Sequence, residues 1–204
     1  AKQRRAALNQ SLEHHSYSER AKYEVEVIDS YMVEARNNAA SAASLYVPGD
    51  AVGAAMADDN IAVSIKRQEA ALVKFAVDNR KDDLWLNQKL IEARSKTHRT
   101  VVDVMLSKGN DLMAKDYAKM HEADIAGAED ITHINNSLKV GSLRGESQRQ
   151  HDIIVAGNDS WEERTKAADK IADPETRAAT KQLLDDSFSR EKRQTAARRN
   201  DDYI

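Results

Sequence analysis

"VVDVMLSKGNDLMAKDYAKM" (residues 101–120) sets an apolar run, the tripeptide Gly109-Asn110-Asp111 and an amphipathic run in one line. The same tripeptide returns as Gly157-Asn158-Asp159 in "IIVAGNDSWEERTKAADKIA" (residues 153–172). Glycine adopts the left-handed conformation that closes a helix, and an Asn or Asp after it caps the next helix with its side-chain oxygen. The two stretches therefore predict two helix–turn–helix joints, with Gly109 and Gly157 both left-handed.

The copies are 48 residues apart. Beyond each lies a second pair, Ile125, Ala126 and Glu129 against Ile171, Ala172 and Glu175, offset by 46, as are Leu138 and Leu184. This points to a unit of helix, Gly-Asn-Asp turn, helix, polar turn, helix. Its period lies near the roughly 40–47 residues of helical arrays. Such hairpins leave apolar stripes that only stacking buries, so the expected fold is all-α, a solenoid-like elongated array of stacked antiparallel hairpins.

The rest of the chain reads as helix as well. Ile28, Met32, Ala35, Ala39 and Ala42 share one face at helical spacing, as do Ile61, Ile65, Leu72 and Phe75. Leu86, Leu90, Ala93, Thr97, Val101 and Val104 form the stripe leading to Gly109, and Met113, Tyr117 and Met120 continue it. Ile131, Ile134 and Leu138 form a shorter stripe expected to end at Gly141, with Ser142 or Gly145 opening another helix. Trp161, Ala168 and Ile171 follow the second tripeptide, and Leu184 and Phe188 lie in the last helix. Ser16 and Glu19 have the spacing of a capping box, which predicts a first helix from about residue 18. "VPGD" (47–50) breaks the pattern, and Asp50 is placed to cap the next helix. Asp173-Pro174-Glu175 is a further start signal: cap, proline at the first helical position, acid near the positive dipole end. Two regions follow, residues 1–48 as a long N-terminal helix region and 49–204 as the hairpin array.

Composition agrees with helix and narrows function. Of 204 residues, 5% are aromatic, two are proline and seven are glycine, a mix poor for sheet. The net charge of −3 supplies no global field for nucleic acid or membrane. The lack of cysteine removes disulfides, zinc–thiolate sites and thiol catalysis. No stretch approaches the roughly 18 apolar residues of a membrane span, and no signal peptide is visible. A start at Ala1 and an end at "RRNDDYI" suit a processed product or a piece of something longer.

No catalytic, cofactor or metal residues are assigned. His14 and His15 are adjacent and diverge by about 100° on a helix. His121 and His133 flank an expected turn, and "HEAD" (121–124) lacks the second histidine of a zinc-protease helix. Asp58/Asp59, Asp82/Asp83, Asp185/Asp186 and Asp201/Asp202 read as solvated or helix-capping acids rather than a catalytic pair. "VGSLRGES" (140–147) lacks the lysine of a phosphate loop, and Ser147 has no triad partners in a recognisable motif. One charge feature stands out. Arg190, Lys192, Arg193, Arg198 and Arg199 in the last helix are the candidates for weak contacts to a DNA backbone; the ordinary reading is a solvated face with pairs such as Asp186–Arg190. Trp85 and Trp161 are expected to pack between hairpins.

Three stretches resemble a known family: "ARSKTHRTVVDVMLSKGNDLMAKDYAKMHEADIAG" (93–127), "LKVGSLRGESQRQHDIIVAG" (138–157) and "AADKIADPETRAATKQLLDDSF" (167–188). They look like the helical region of the internal virion proteins of short-tailed bacteriophages, the DNA-ejection proteins. The resemblance covers residues 50–199 or so and rests on structural rather than catalytic patterns. It implies a chain stored in the virion interior near the portal, then ejected into the host envelope and periplasm. There it would form part of an oligomeric conduit for the genome. Implied partners are further copies in a ring, other virion core, portal or ejection proteins, and double-stranded DNA held weakly and non-specifically. Membrane association is not expected through this segment. Some members carry a lytic transglycosylase domain; here it would lie outside these residues, so no enzyme activity and no cofactor are expected. The competing readings are a protein-binding helical scaffold or adaptor, and an extracytoplasmic sensor bundle with four long helices and a buried ligand pocket.

Overall fold

The computed structural model describes residues 2–201, and side chains from residue 11 to 197 except 12–14, 17, 20 and 21. The protein is all-α. Seven helices and no strand occur among the described residues: α1 (Lys2–Ala43), α2 (Ala51–Asp78), α3 (Asp83–Ser107), α4 (Asp111–Met120), α5 (Ala128–Gly157), α6 (Trp161–Asp169) and α7 (Pro174–Asp201).

The first helix does not begin near residue 18. It runs unbroken through Ser16, which is exposed in its interior. Nothing in residues 1–46 is glycine or proline, so a Ser-x-x-Glu spacing has no chain break to cap. The break at residues 47–50 is real, and Asp50 accepts a hydrogen bond from the Gly53 amide at 2.9 Å. Asp82 caps α3 in the same way through the Trp85 amide, at 2.8 Å.

The chain forms two compact units. One comprises residues 1–108 and 113–134; the other comprises 109–112 and 135–204. The turn expected to separate a region at residue 48 thus lies inside the first unit.

In the first unit α1, α2 and α3 pack against one another. Ala35, Ala39, Ala42 and Ala43 on α1 and Ala57 and Ala76 on α2 are buried, so small side chains let the helices approach closely. Ile61, Leu72, Val101, Val102 and Met105 supply the bulk. Each such aliphatic side chain contributes about 1.5–3 kcal/mol by leaving water. One polar pair crosses this core: Gln68 Nε2 donates to Thr97 Oγ1 at 2.9 Å. Asp130 is also buried, where it accepts from Arg99 at 3.0 Å and from Ser95 at 2.7 Å.

The second unit is built on Ile154, Ala168 and Leu184, with Val155, Trp161, Ala167 and Ile171 around them. Trp161 stacks on Phe188 with centroids 4.4 Å apart. Asp173 caps α7 through the Thr176 amide at 2.7 Å, with Pro174 in the first helical position.

Helix order repeats. Long α3, short α4 and long α5 are followed, from α5 onward, by short α6 and long α7, with short helices of 10 and 9 residues. The two tripeptides differ in detail. Gly109 is left-handed at φ +78, as expected. Gly157 is the last residue of α5 and is not left-handed. Its Asn158 turns back to donate to the Ile154 carbonyl at 2.9 Å, and Ser160, not Asn158 or Asp159, caps α6. A full capping box between Ser160 and Glu163 fixes the start of α6 there. Nor do Leu138 and Leu184 match: Leu184 is fully buried, Leu138 half-buried.

No joint occurs at "VGSLRGES". α5 passes through Gly141 and Gly145 without interruption. A Cβ at Gly145 would collide with the Asp111 carboxylate, so this glycine provides close approach rather than a turn.

Candidate functional site

The proposed DNA-contact residues lie on α7. Arg190, Lys192 and Arg193 are exposed; the side chains of Arg198 and Arg199 lie outside the described residues. Arg190 and Arg193 donate to backbone carbonyls one turn earlier, Asp186 and Ser189, both at 3.2 Å. The Asp186 carboxylate instead accepts from Gln182, so the expected Asp186–Arg190 ion pair is replaced by a contact to the backbone. Lys192 holds its ammonium 4.5 Å from the Phe188 ring centre, an attraction of about 0.5–1 kcal/mol at an exposed site. The three cations stand on a solvated face of α7.

The paired acids have ordinary work where they are described. Asp58 accepts from the Tyr46 hydroxyl, and Asp82 caps α3. Asp201 and Asp202 lie outside the described side chains. Ser147 faces α7, its hydroxyl 3.5 Å from the Thr176 carbonyl. Trp85 stacks on Phe75 and Trp161 on Phe188, so both indoles serve packing.

His121 and His133 flank the turn between α4 and α5, as expected. His14 lies outside the described side chains, and His15 is exposed. His133 bonds Asp103 across α5 and α3 at 2.9 Å. His98, which the sequence did not single out, is buried on α3 and joins a polar cluster in the first unit. Its Nδ1 lies 2.8 Å from the Tyr117 hydroxyl of α4. His121 closes α4 and stacks on His98 with centroids 4.4 Å apart. The turn after α4 folds Asp124 back over His121, its amide donating to the His121 carbonyl at 3.0 Å. One ring nitrogen of each histidine and one Asp124 oxygen all lie within 4.8 Å of one another. Burial pushes His98 down to about 4, with the positive charge of His121 adding to the effect. Burial, then the carboxylates Asp58 and Asp124, pushes the Tyr117 phenol up.

A second feature of this unit is apolar. Between α1, α2 and α3 runs a groove of about 600 Å³ floored by Ile28, Met32, Leu72, Phe75 and Trp85, with Lys89 and Lys96 at its edge. Tyr23 and Tyr31 line an adjoining hollow on α1 and are 67% and 57% exposed. No helix among the described residues is long and apolar enough to cross a membrane.

Comparison with protein-family models, with curated proteins and with solved structures finds no match to this chain.

Proposed function

We propose that the chain is a structural helical segment of a bacteriophage internal virion protein, ejected with the genome and assembled in the host envelope as part of an oligomeric conduit. The sequence resemblance over residues 50–199 motivates the reading, and its three quoted stretches all fall on helices and the turns between them. Its main support is the groove between α1, α2 and α3, beside which Tyr23 and Tyr31 stand in solvent. Its apolar residues and the two exposed tyrosines give a partner helix a surface to pack on. The groove is open along helices, so it accepts a helix, and in this reading the occupant is a second copy of the chain. Stacked hairpins repeating at 46–48 residues are the finer architecture we propose for the assembly.

The role is scaffolding, with no catalytic step assigned. The order of helices α3 to α7 favours this over a sensor bundle, whose ligand pocket would be enclosed. An adaptor binding an unrelated helical protein is the remaining alternative. Native mass measurement at micromolar concentration tests the first point: rings or higher species are expected. Tyr31→Glu together with Val33→Glu, both exposed, should return the chain to monomer without loss of helix. A monodisperse monomer before substitution removes the assembly reading. Mass spectrometry of intact and emptied virions tests the second. The protein is expected in the first and depleted from the second.

A further inference from the structure

We propose that His98, His121 and Asp124 bind a divalent transition-metal ion of the zinc class. His98 is fixed deep in α3, whereas His121 and Asp124 come from one turn just after α4. Their candidate donor atoms already lie within 4.8 Å of one another. Zinc bonds imidazole nitrogen at about 2.0–2.1 Å and carboxylate oxygen at about 2.0–2.2 Å. The three side chains must therefore close around the ion. His121 and Asp124 are only half-buried and sit in a turn, so they supply that movement. His121 must also rotate out of its stack on His98, since a ligand nitrogen points in the plane of its ring.

Two further observations bear on a ligand site. The Tyr117 hydroxyl engages Nδ1 of His98, which leaves Nε2 as the atom that coordinates while that contact persists. Such a partner behind a ligating histidine holds its tautomer and ring orientation. Arg94 lies 3.9 Å from Asp124, but its close contact is to Glu69. It has an anionic partner to keep when Asp124 turns to a metal. Two imidazoles and one carboxylate select zinc, cobalt, nickel or copper over calcium or magnesium, which prefer oxygen donors. A water completes the shell. The ion would pin the 121–124 turn to α3.

The test is titration of the intact chain with Co²⁺, read by visible absorption, followed by displacement with Zn²⁺. One equivalent with the intense bands of a four-coordinate site is expected. Tyr117→Phe should weaken binding by about 10–100-fold, the size expected for an outer partner of a ligand. His121→Ala and Asp124→Asn should weaken it by at least as much, and His133→Ala should leave it unchanged. Circular dichroism checks that each variant is folded; His98→Ala is left aside because that side chain is buried. The proposal is overturned by the absence of a cobalt spectrum at micromolar protein. Wild-type affinity in folded His121→Ala or Asp124→Asn would overturn it too, as would loss of binding in His133→Ala.

Discussion

Arg149 grips the Asp111 carboxylate with two parallel hydrogen bonds, 2.9 and 3.1 Å, at the point where α5 carries no side chain at Gly145. Asp111 opens α4 and is buried, while Arg149 is partly in solvent and also holds Glu146 at 3.1 Å. The two ends of this pair are therefore unequal. Removing the arginine strands a buried charge; removing the aspartate leaves an arginine that water and Glu146 still satisfy.

Arg149→Ala is expected to cost about 3 kcal/mol or more, the range for an uncompensated buried charge. Asp111→Ala should cost less, about 1.5–3 kcal/mol for a lost charged hydrogen-bond pair. Urea unfolding of both variants measures the order. Equal costs, or a larger cost for Asp111→Ala, would contradict the asymmetry.

Gly145→Ala tests the same joint from the other side. Alanine is favoured over glycine in a helix interior by about 1 kcal/mol. A substitution that nonetheless destabilises the protein must do so by driving the carboxylate from Arg149. We expect a net loss of about 1–3 kcal/mol, since the displaced charge remains buried. In the double variant with Asp111→Ala the glycine substitution should become neutral or stabilising.

That joint shows where the sequence is legible and where it is not. The stripes through Ala35, Ala39, Leu72, Val101 and Ile134 follow from helical spacing alone, and they locate part of the core. Asp50 and Asp173 also act as their local sequence predicts. Gly145 misleads because its reason is tertiary: the group it accommodates is Asp111, 34 residues earlier. Gly157 misleads for a local reason, since Ser160 and Glu163 outcompete Asn158 for the start of α6. The His98 cluster was hidden differently. "HEAD" lacks a second histidine within its own helix, and the partner arrives from α3, 23 residues upstream. The available signal is a histidine directly beside the stripe of Ala93, Thr97 and Val101.

Gln68 and Thr97 link α2 to α3 inside the core, both almost fully buried. Thr97→Val keeps the shape but leaves the Gln68 amide without that partner. We expect about 1–3 kcal/mol of destabilisation, the cost of an unsatisfied buried polar group. Gln68→Leu combined with Thr97→Val should recover much of the loss, because then neither polar group is buried alone. Thermal denaturation of the singles and the double settles it.

Acid stability should carry the mark of Glu92. Hydrogen bonds from Lys89 and Lys96 hold its carboxyl at about 2, against an ordinary value of 4.5. A depressed folded value means the unfolded chain binds the proton first. The contribution is therefore complete above about 4.5 and is lost as pH falls toward about 2. The group is partly solvent-exposed, so salt screens it and the effect is small. Glu92→Gln should flatten the stability curve slightly between those two values and leave it unchanged in slope near neutrality. An unaltered acid slope at low salt would show that the lysines do not hold the carboxylate in solution.

The last expectation concerns DNA. In the proposed conduit a polyanion must pass without being retained, because each neutralised phosphate adds salt-dependent affinity. Arg190, Lys192 and Arg193 are exposed on α7, and Lys192 is partly occupied over Phe188. Arg198 and Arg199 continue the run in sequence. With a net charge of −3 and no groove-reading arrangement at these residues, binding is expected to be weak and indifferent to sequence. The measurement is duplex binding across a salt series, for the chain and for a variant with all five residues changed to glutamine. Affinity should fall steeply with salt in the first and be largely absent in the second. Lys192→Gln alone should have a smaller effect than Arg190→Gln or Arg193→Gln, since its ammonium already rests on an aromatic ring. Sequence-specific binding that survives high salt would sink this account. So would strong binding in the five-residue variant, which would place the contacts on another surface.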